Sequence, residues 1–392
     1  MRRKFFIIAL VIILLGIASW RYTKPLPALK PQVGSVQSPV SDAIKLPWPT
    51  YGQAALGATG LGVVATNNSS SPAPIASIAK AITALAVLKE KPLKAGEQGP
   101  TIILSSVDAQ IYQDYLAKNG SVVPVKAGDQ ITEYQALEAM LLPSANNIAD
   151  STARWAFGSI DSYVTYANQF VKTLGMTQTT VATDASGFSP QTISTAKDLV
   201  LLGEAALKNP VLAAVVNQSE ASFPNVGTIK NVNGLLGTDG ILGIKTGDTD
   251  QAGGCFLFGA KRIIRGQSVT VIGAILGAPN RNQAMADSRT LIQAADKGFE
   301  LATPVLLNQT VGRYNLPWGG SVAAATSGDA KILNWKGNPL TTRTNLNTLQ
   351  APVPQNSIVG LVQLTVGDST KKVPVVLKQP ITKPSLIWRI LR

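Results

Sequence analysis

The 392-residue chain contains no histidine and only one cysteine, Cys255. A single cysteine cannot form an internal disulfide, so disulfide scaffolds and cysteine-cluster metal sites are excluded. The absence of histidine also excludes a Ser-His-Asp triad and an HExxH zinc site. Any fold must therefore depend on a hydrophobic core, and lysine or a carboxylate must carry out any proton transfer. At 45% hydrophobic residues, the chain is too apolar to be disordered.

The net charge of +13 raises the question of an anionic partner. Lysine and arginine are scattered, however, without a run of five and without interleaved aromatic residues. No nucleic-acid partner is therefore expected. Asp248 and Asp250 lack the third ligand and the glycine of an EF-hand, so no metal is indicated, and no cofactor is expected. Cys255 lies in a β-rich run and is predicted to be a core residue.

The N-terminus carries a membrane-addressing pattern. Three basic residues at positions 2–4 precede sixteen residues, 5–20, that carry no charge. At about 1.5 Å per residue these span roughly 24 Å, and snorkelling by Arg21 and Lys24 extends that reach towards the roughly 30 Å of a bilayer core. An uncleaved anchor is favoured over a signal peptide cleaved after residues 16–18. Both interpretations predict an extracytoplasmic protein.

Composition divides the chain into segments after the anchor or signal segment, residues 1–22. Closely spaced prolines predict an extended tether over residues 23–45. Helical segments bracket antiparallel strand candidates over residues 46–300, which predicts an α+β domain. Residues 301–381 contain short strand candidates without useful helical periodicity, which predicts a small all-β domain.

Individual elements are also predicted. Gly/Pro-free or periodic stretches favour helices. These cover residues 76–89, 132–142, 147–157, 195–207 and 287–301. β-rich runs favour strands, with one hairpin in the first domain and another around the turn at 367–370. These runs cover residues 255–261, 269–276, 321–325, 358–366 and 373–377.

The last segment, residues 382–392, is a possible amphipathic tail. On a helix, Leu386, Ile387, Ile390 and Leu391 would form one apolar stripe beside two arginines. Trp388 suits a membrane interface, but so short a helix is unstable in water. Ordering on lipid and packing on the β-domain are both open.

The first motif of chemical interest is Ser77-Ile78-Ala79-Lys80, at the start of a predicted helix. Residues three apart share a helix face, so Lys80 lies one turn from Ser77. In a dry pocket near other cations, a lysine amine can lose its proton and then deprotonate a hydroxyl. Alone the signal is weak, because a helix-capping serine with a solvated lysine gives the same pattern.

Two further motifs strengthen that signal. Ser144-Ala145-Asn146 follows Pro143 between two predicted helices, so a hydroxyl and a carboxamide can point into one cleft. Lys245-Thr246-Gly247 follows an apolar run at the end of a strand. It offers a charge and a hydroxyl for a carboxylate, and a glycine for close backbone approach. The order S-x-x-K, S-x-N, K-T-G is typical of β-lactamases and penicillin-binding proteins.

The resemblance extends beyond these motifs. The segments that carry it are PIASIAKAITALAVL, GDQITEYQALEAMLLPSANNIA, DASGFSPQTISTAKDLVLLGEAAL and DGILGIKTGDTDQAGGCFLFGAKR. They resemble the D-alanyl-D-alanine carboxypeptidases, low-molecular-mass penicillin-binding proteins that trim peptidoglycan stem peptides. APVPQNSIVGLVQLTV resembles their C-terminal β-domain. The resemblance implies a penicillin-binding/β-lactamase-like transpeptidase domain, with helices around an antiparallel sheet, and β-lactam antibiotics as covalent inhibitors.

The resemblance also implies a role for each motif residue. Ser77 would be the acylated nucleophile and Lys80 its general base. Ser144 would relay the proton to the leaving D-alanine, and Asn146 would hold the substrate amide.

The third motif is expected to bind the substrate's terminal carboxylate through Lys245 and Thr246, with Gly247 beside them. Backbone N–H groups of the nucleophile and of a residue near Asp248 would form the oxyanion hole. Asp248 stands where many relatives carry histidine, and it would repel substrate unless it turns outward or pairs with a cation. Arg281 is a candidate second carboxylate clamp, with a surface arginine as the alternative.

Two other functions fit parts of the pattern. A β-lactamase shares all three motifs, but class A enzymes deacylate with a glutamate after the second motif. Here no glutamate occurs between Glu138 and Glu204. The second alternative is a catalytically silent, membrane-tethered cell-wall-binding protein.

Asp184, in Asp-Ala-Ser-Gly, is expected to form a structural turn.

Overall fold

The structure is a computed structural model that describes residues 2–36 and 41–392. The chain forms two compact units. The larger contains residues 43–299, and the smaller combines the described residues up to 42 with residues 300–392. The larger unit is therefore inserted, in chain order, into the smaller one.

Helices and strands alternate in the larger unit, whereas strands dominate the smaller one. The helices are α1 (Arg2–Thr23), α2 (Ala79–Glu90), α3 (Ser106–Ala117), α4 (Glu133–Leu141), α5 (Asn146–Phe157), α6 (Ile160–Thr173), α7 (Ala196–Lys208), α8 (Pro210–Val216), α9 (Arg281–Ala295) and α10 (Leu386–Leu391). The strands are β1 (Pro31–Val33), β2 (Gln53–Ala58), β3 (Gly62–Asn67), β4 (Ala73–Pro74), β5 (Thr101–Ile103), β6 (Gln130–Thr132), β7 (Ile193–Ser194), β8 (Glu220–Phe223), β9 (Gly227–Lys230), β10 (Ile241–Thr249), β11 (Gly253–Ile264), β12 (Gln267–Ala278), β13 (Phe299–Val305), β14 (Thr310–Asn315), β15 (Ser321–Thr326), β16 (Ala330–Trp335), β17 (Thr341–Leu346), β18 (Ile358–Val366) and β19 (Ser369–Leu377).

The larger unit is built on a five-stranded antiparallel sheet in the order β10-β11-β12-β2-β3. Strands β11 and β12 are almost continuously buried, because α7 and α9 both pack on them. A strand covered on both sides loses the alternation of polar and apolar residues. Helices α2, α4, α5, α6 and α7 pack on one another around α2, of which residues 79–88 are all buried. The predicted α+β architecture is confirmed.

One predicted element in this unit is wrong. The helix expected over residues 287–301 runs from Arg281 to Ala295, and Phe299–Val305 is a strand. The start of this helix, α9, is fixed by Asn280, whose side chain accepts a hydrogen bond of 2.9 Å from the Gln283 N–H. Such an N-cap satisfies a donor that the helix leaves unpaired. A short 3-10 turn, residues 296–298, then ends the helix.

The smaller unit contains a six-stranded sheet in the order β1-β14-β15-β19-β18-β17 and a β13-β16 pair. The predicted all-β domain is confirmed, including the tight turn between β18 and β19. The proline-rich segment differs from its prediction as a simple tether. Its strand β1 pairs antiparallel with β14, Val33 against Gly312, and Leu29 is buried beside Leu349. The part of the predicted tether at residues 37–40 lies outside the described residues.

Both chain ends belong to this unit. Helix α1 exposes its apolar side chains, and residues 3–23 are long and apolar enough, at a mean hydropathy of 2.2, to cross a membrane. Residues 386–391 form the short helix α10, in which Leu386, Ile387 and Leu391 are exposed. Three of the four residues of the predicted apolar stripe are therefore exposed, whereas Ile390 is half-buried.

Candidate active site

The S-x-x-K motif lies where a 3-10 turn, Ala76–Ile78, leads into α2. Ala76 has φ +45°, a left-handed conformation that is uncommon for a residue with a side chain. Ser77 is partly exposed, whereas Lys80, one turn further on, has 0% of its surface accessible. The Lys80 Nζ lies 2.7 Å from the Ser77 Oγ. The motif thus holds the partly exposed hydroxyl of Ser77 beside the fully buried amine of Lys80.

Three oxygens surround the Lys80 amine. Besides the Ser77 Oγ, it contacts Asn146 Oδ1 at 2.6 Å and the Ser186 carbonyl at 3.0 Å. Burial lowers the pKa of Lys80 to about 7, although the carboxylates of Asp184 and Asp150 act in the opposite direction. The neutral amine is consequently well populated near pH 7. In that form it has a lone pair that can accept the Ser77 proton.

The S-x-N motif forms the tight turn between α4 and α5. Ser144 is buried and has φ +67°, and Asn146 is the first residue of α5. The Asn146 N–H donates to the Ser121 carbonyl at 2.7 Å, which fixes its backbone, while its Oδ1 accepts from Lys80. The structure therefore joins the first two motifs through Asn146. Left-handed residues such as Ser144 cluster at functional sites.

The K-T-G motif lies in β10, directly beside the nucleophile turn, which is the 3-10 turn Ala76–Ile78 that carries Ser77. A Cβ on Gly247 would lie 3.0 Å from the Ala76 Cβ and 3.1 Å from the Ser77 nitrogen. Glycine is needed here because the strand and the turn approach each other this closely. Lys245 is 2% exposed and donates to the Thr246 carbonyl at 3.0 Å. Burial, with the charges of Lys80 and Arg281, holds the pKa of Lys245 well below its usual value.

Asp248 is exposed and turned towards the start of α9. Its Oδ2 accepts a hydrogen bond of 3.1 Å from the backbone N–H of Arg281, in the first turn of that helix. A negative charge is favoured at a helix N-terminus. The Arg281 Nε is buried and has no partner among the described residues. Lys245 and Arg281 thus bring two basic side chains to the same region, while the Asp248 carboxylate accepts a hydrogen bond from the backbone.

One side of this site was not predicted from the sequence. Residues 184–189 form a turn in which Asp184 accepts from the backbone N–H groups of Ser186, Phe188 and Ser189. That turn was expected, but its contact with Lys80 through the Ser186 carbonyl was not. The glycine in Asp-Ala-Ser-Gly was the available signal. Gly187 has φ +72°, and a Cβ there would lie 2.0 Å from the Ala76 carbonyl oxygen.

Cys255 is buried in β11, opposite Gly247, and the prediction of a core position is confirmed. Burial raises the pKa of its thiol to about 12. The thiol is thus protonated at neutral pH, which suits a packing role.

Comparison with known proteins agrees with this geometry. The profile of the D-alanyl-D-alanine carboxypeptidase family matches residues 57–280. D-alanyl-D-alanine carboxypeptidase DacA of Escherichia coli K12 is 26% identical over 344 residues, covering 84% of this chain and 83% of that protein. DacB2 of Mycobacterium tuberculosis is 33% identical over 195 residues, covering 48% and 62%.

The fold has a counterpart among solved structures. Penicillin-binding protein 5 of Haemophilus influenzae superposes with a TM-score of 0.63 at 19% identity, covering 87% of this chain and 100% of that one. At that identity the match supports the fold alone. The family profile spans more than half of the chain, including all three motifs. The chain therefore belongs to the D-alanyl-D-alanine carboxypeptidase family.

Proposed function

We propose that this penicillin-binding serine hydrolase removes the terminal D-alanine of peptidoglycan stem peptides through an acyl-enzyme on Ser77. The observation that carries the assignment is the 2.7 Å contact between the Ser77 Oγ and the buried Lys80 Nζ. A hydroxyl becomes a competent nucleophile when an adjacent base takes its proton. Lys80 meets that requirement because burial lowers its pKa to about 7.

The reaction proceeds in two halves. The Ser77 Oγ attacks the carbonyl carbon between the two D-alanines, and its proton passes to the Lys80 Nζ. The oxyanion is held by backbone N–H groups of the nucleophile turn and β10. The C–N bond then breaks, and a proton relayed through Ser144 reaches the nitrogen of the departing D-alanine. Water next hydrolyses the ester, which restores the Ser77 hydroxyl and releases the shortened peptide.

Recognition of the terminal carboxylate is assigned to Lys245 and Thr246, with Arg281 as a second clamp. Among the described residues, the Lys245 Nζ makes one hydrogen bond, to the Thr246 carbonyl, and the Arg281 Nε has no partner. Buried donors without partners are costly until a ligand supplies acceptors. A bound carboxylate would supply acceptors to both side chains and would favour the charged form of Lys245.

We expect Lys245→Gln to reduce kcat/KM for a D-Ala-D-Ala peptide by about 10- to 100-fold, the typical value of a charged hydrogen bond. A thioester whose leaving group carries no carboxylate should lose less than about threefold. Steady-state kinetics on the two substrates measure the difference. Equal losses on both would show that Lys245 acts on the fold or on proton transfer rather than on the carboxylate.

A fluorescent penicillin separates this function from its two alternatives. A carboxypeptidase retains the label on Ser77 and also releases D-alanine from a peptide. A β-lactamase loses the label rapidly, and residues 139–203 contain no glutamate of the kind that class A enzymes use for that step. A silent wall-binding protein takes up no label.

We further propose that α1 anchors the enzyme in the membrane, with the remaining chain on the extracytoplasmic side, and that α10 lies on the membrane surface beside it. The Arg21 guanidinium donates to the carbonyls of Ile390 at 3.2 Å and Leu391 at 3.3 Å. The Arg389 guanidinium lies 4.2 Å from the centre of the Tyr22 ring. These contacts place the exposed apolar side chains of α10 next to the end of the apolar helix, which supports an interfacial position.

Removing residues 2–19 tests the contribution of α10, because it deletes most of α1 and spares its contacts with α10. This shortened protein should bind anionic vesicles weakly and release from them in high salt, since basic residues add about 1 kcal/mol each near anionic lipid. Serine at Leu386, Ile387 and Leu391 should abolish that binding in flotation assays. If the shortened protein fails to float even before these substitutions, α10 is not an attachment and α1 is the membrane attachment among the described residues.

A further inference from the structure

A buried carboxylate behind Lys80 has no part in the mechanism above. Asp150 lies on α5, one helical turn after Asn146, and is 8% exposed. Its Oδ1 accepts from the Ala185 N–H at 2.8 Å, and its Oδ2 accepts from the Tyr115 hydroxyl at 2.8 Å. Both oxygens are thus engaged, and one of them binds the backbone that leads to Ser186.

The contacts of Asp150 converge on the carbonyl that Lys80 uses. The Tyr115 hydroxyl lies 3.3 Å from the Ser186 Oγ. From the other side, Asp184 Oδ1 accepts from the Ser186 N–H and from the Ser186 hydroxyl, each at 2.7 Å. Two carboxylates therefore hold the segment from Ala185 to Ser186. That segment presents its carbonyl oxygen to the Lys80 Nζ at 3.0 Å.

We propose that Asp150 is a positioning residue for Lys80: its carboxylate fixes the Ala185–Ser186 backbone against the amine, and its charge stabilises the ammonium formed when Ser77 gives up its proton. This inference rests on the assignment of Lys80 as the base. Within that assignment it adds a residue that touches neither substrate nor nucleophile.

The charges around Lys80 determine the sign of the effect. The charged and titratable groups near Lys80 and Asp150 are Asp184 in the 184–189 turn, Lys245 on β10, Arg281 on α9, Tyr163 on α6, Asp114 and Tyr115 on α3, and Lys118 directly after that helix. Arg154, one turn after Asp150 on α5, is paired with Asp108 of α3 at 2.9 Å. Asp184 and Asp150 raise the pKa of Lys80 against the larger effect of burial.

Asp150 is charged in the pH range that matters. Burial and the neighbouring Asp184 raise its pKa to about 6, while hydrogen bonds from Ala185 and Tyr115 and the charge of Lys80 oppose that rise. Above pH 6 the carboxylate is mostly ionised and favours the ammonium form of Lys80. Removing the charge should consequently lower the pKa of Lys80 and populate the free base at lower pH.

Asp150→Asn tests the proposal, because asparagine keeps the size and an oxygen acceptor for the Ala185 N–H but removes the charge. The measurement is the pH dependence of the acylation rate constant with a fluorescent penicillin. We expect the acid limb to move to lower pH by about half a unit or more. Ser151→Ala is the matched control, since its neighbouring hydroxyl is buried without a partner among the described residues. It should leave the limb in place.

A second variant guards against misfolding of the first. Tyr115→Phe removes one donor from the Asp150 carboxylate, which raises the pKa of Asp150, so a smaller shift in the same direction is expected. If both variants lower the rate equally at every pH, with the limb unmoved, Asp150 has only a structural role and the proposal is overturned. Labelling of Ser77→Ala would instead contradict the nucleophile assignment, so the two failures are distinguishable.

Discussion

Ser77→Ala is expected to take up no penicillin and to release D-alanine more slowly by a factor on the order of 10⁶, the loss typical of removing a serine nucleophile. Without the Oγ no ester can form, whatever the state of Lys80. The fold should survive, because Ser77 is partly exposed and its side chain makes one hydrogen bond, to Lys80. The free energy of unfolding of Ser77→Ala, measured by thermal denaturation, should differ from that of the wild type by about 1 kcal/mol, the value of one hydrogen bond.

Ser144→Ala is the matched control for this experiment. Ser144 is buried in the same site and is assigned a relay role, so its loss should slow labelling without abolishing it. Persistent labelling of Ser77→Ala, combined with no labelling of Ser144→Ala, would show that Ser144 is the nucleophile and that Ser77 is not. Mass spectrometry of the labelled peptide identifies the acylated serine directly.

Lys80→Met should lower the acylation rate constant by about 10²- to 10⁴-fold, the usual contribution of a general base. The same variant should change how stability depends on pH. Because the pKa of Lys80 is about 7 in the folded state and its ordinary value in an unfolded chain is 10.5, the unfolded chain binds more protons between these values. Stability from this group therefore increases as pH rises from 7 to 10, by about 1 kcal/mol per pH unit. Methionine removes that increase.

The measurement is the difference in unfolding free energy between wild type and Lys80→Met, from denaturant titrations at several pH values. That difference should shift in favour of wild type as pH rises. Lys89→Met, on the exposed end of the same helix, is the matched control and should follow wild type in both activity and stability. Parallel curves for wild type and Lys80→Met would mean that Lys80 does not titrate in this range.

Local sequence was sufficient to locate the three motifs and the β11–β12 hairpin. A lysine three residues after a serine at a helix start must lie near it, and long β-rich runs beside a turn must pair. Helix α3 gave no such signal because it buries only Asp108 and Tyr115 and so lacks an apolar stripe. Helix α6 was not predicted either, although it buries Tyr163, Ala167 and Val171 at a four-residue spacing that is typical of a helix.

The Lys80 environment could not be predicted in the same way. Its third partner is the backbone carbonyl of Ser186, 106 residues further along the chain. Every residue type has a backbone carbonyl, so the sequence does not indicate this contact. Asp150 likewise appears as one acid in a helix until the 184–189 turn is placed against it. The strand β1 could not be predicted from the sequence either. It has only three residues, it pairs with a strand near residue 312, and no local turn sets the register of that pairing.

The position of β1 also fixes an order of events during synthesis. Its partner β14 follows the whole larger unit, so β1 leaves the ribosome first and must wait for residues 310–315 before it can pair. Domains generally fold as units in the order in which they are made. The inserted unit can thus complete its own sheet while β1 remains an unpaired edge. A secreted form trimmed to residue 45 would lose this strand, so a soluble version of the enzyme should begin before Leu29.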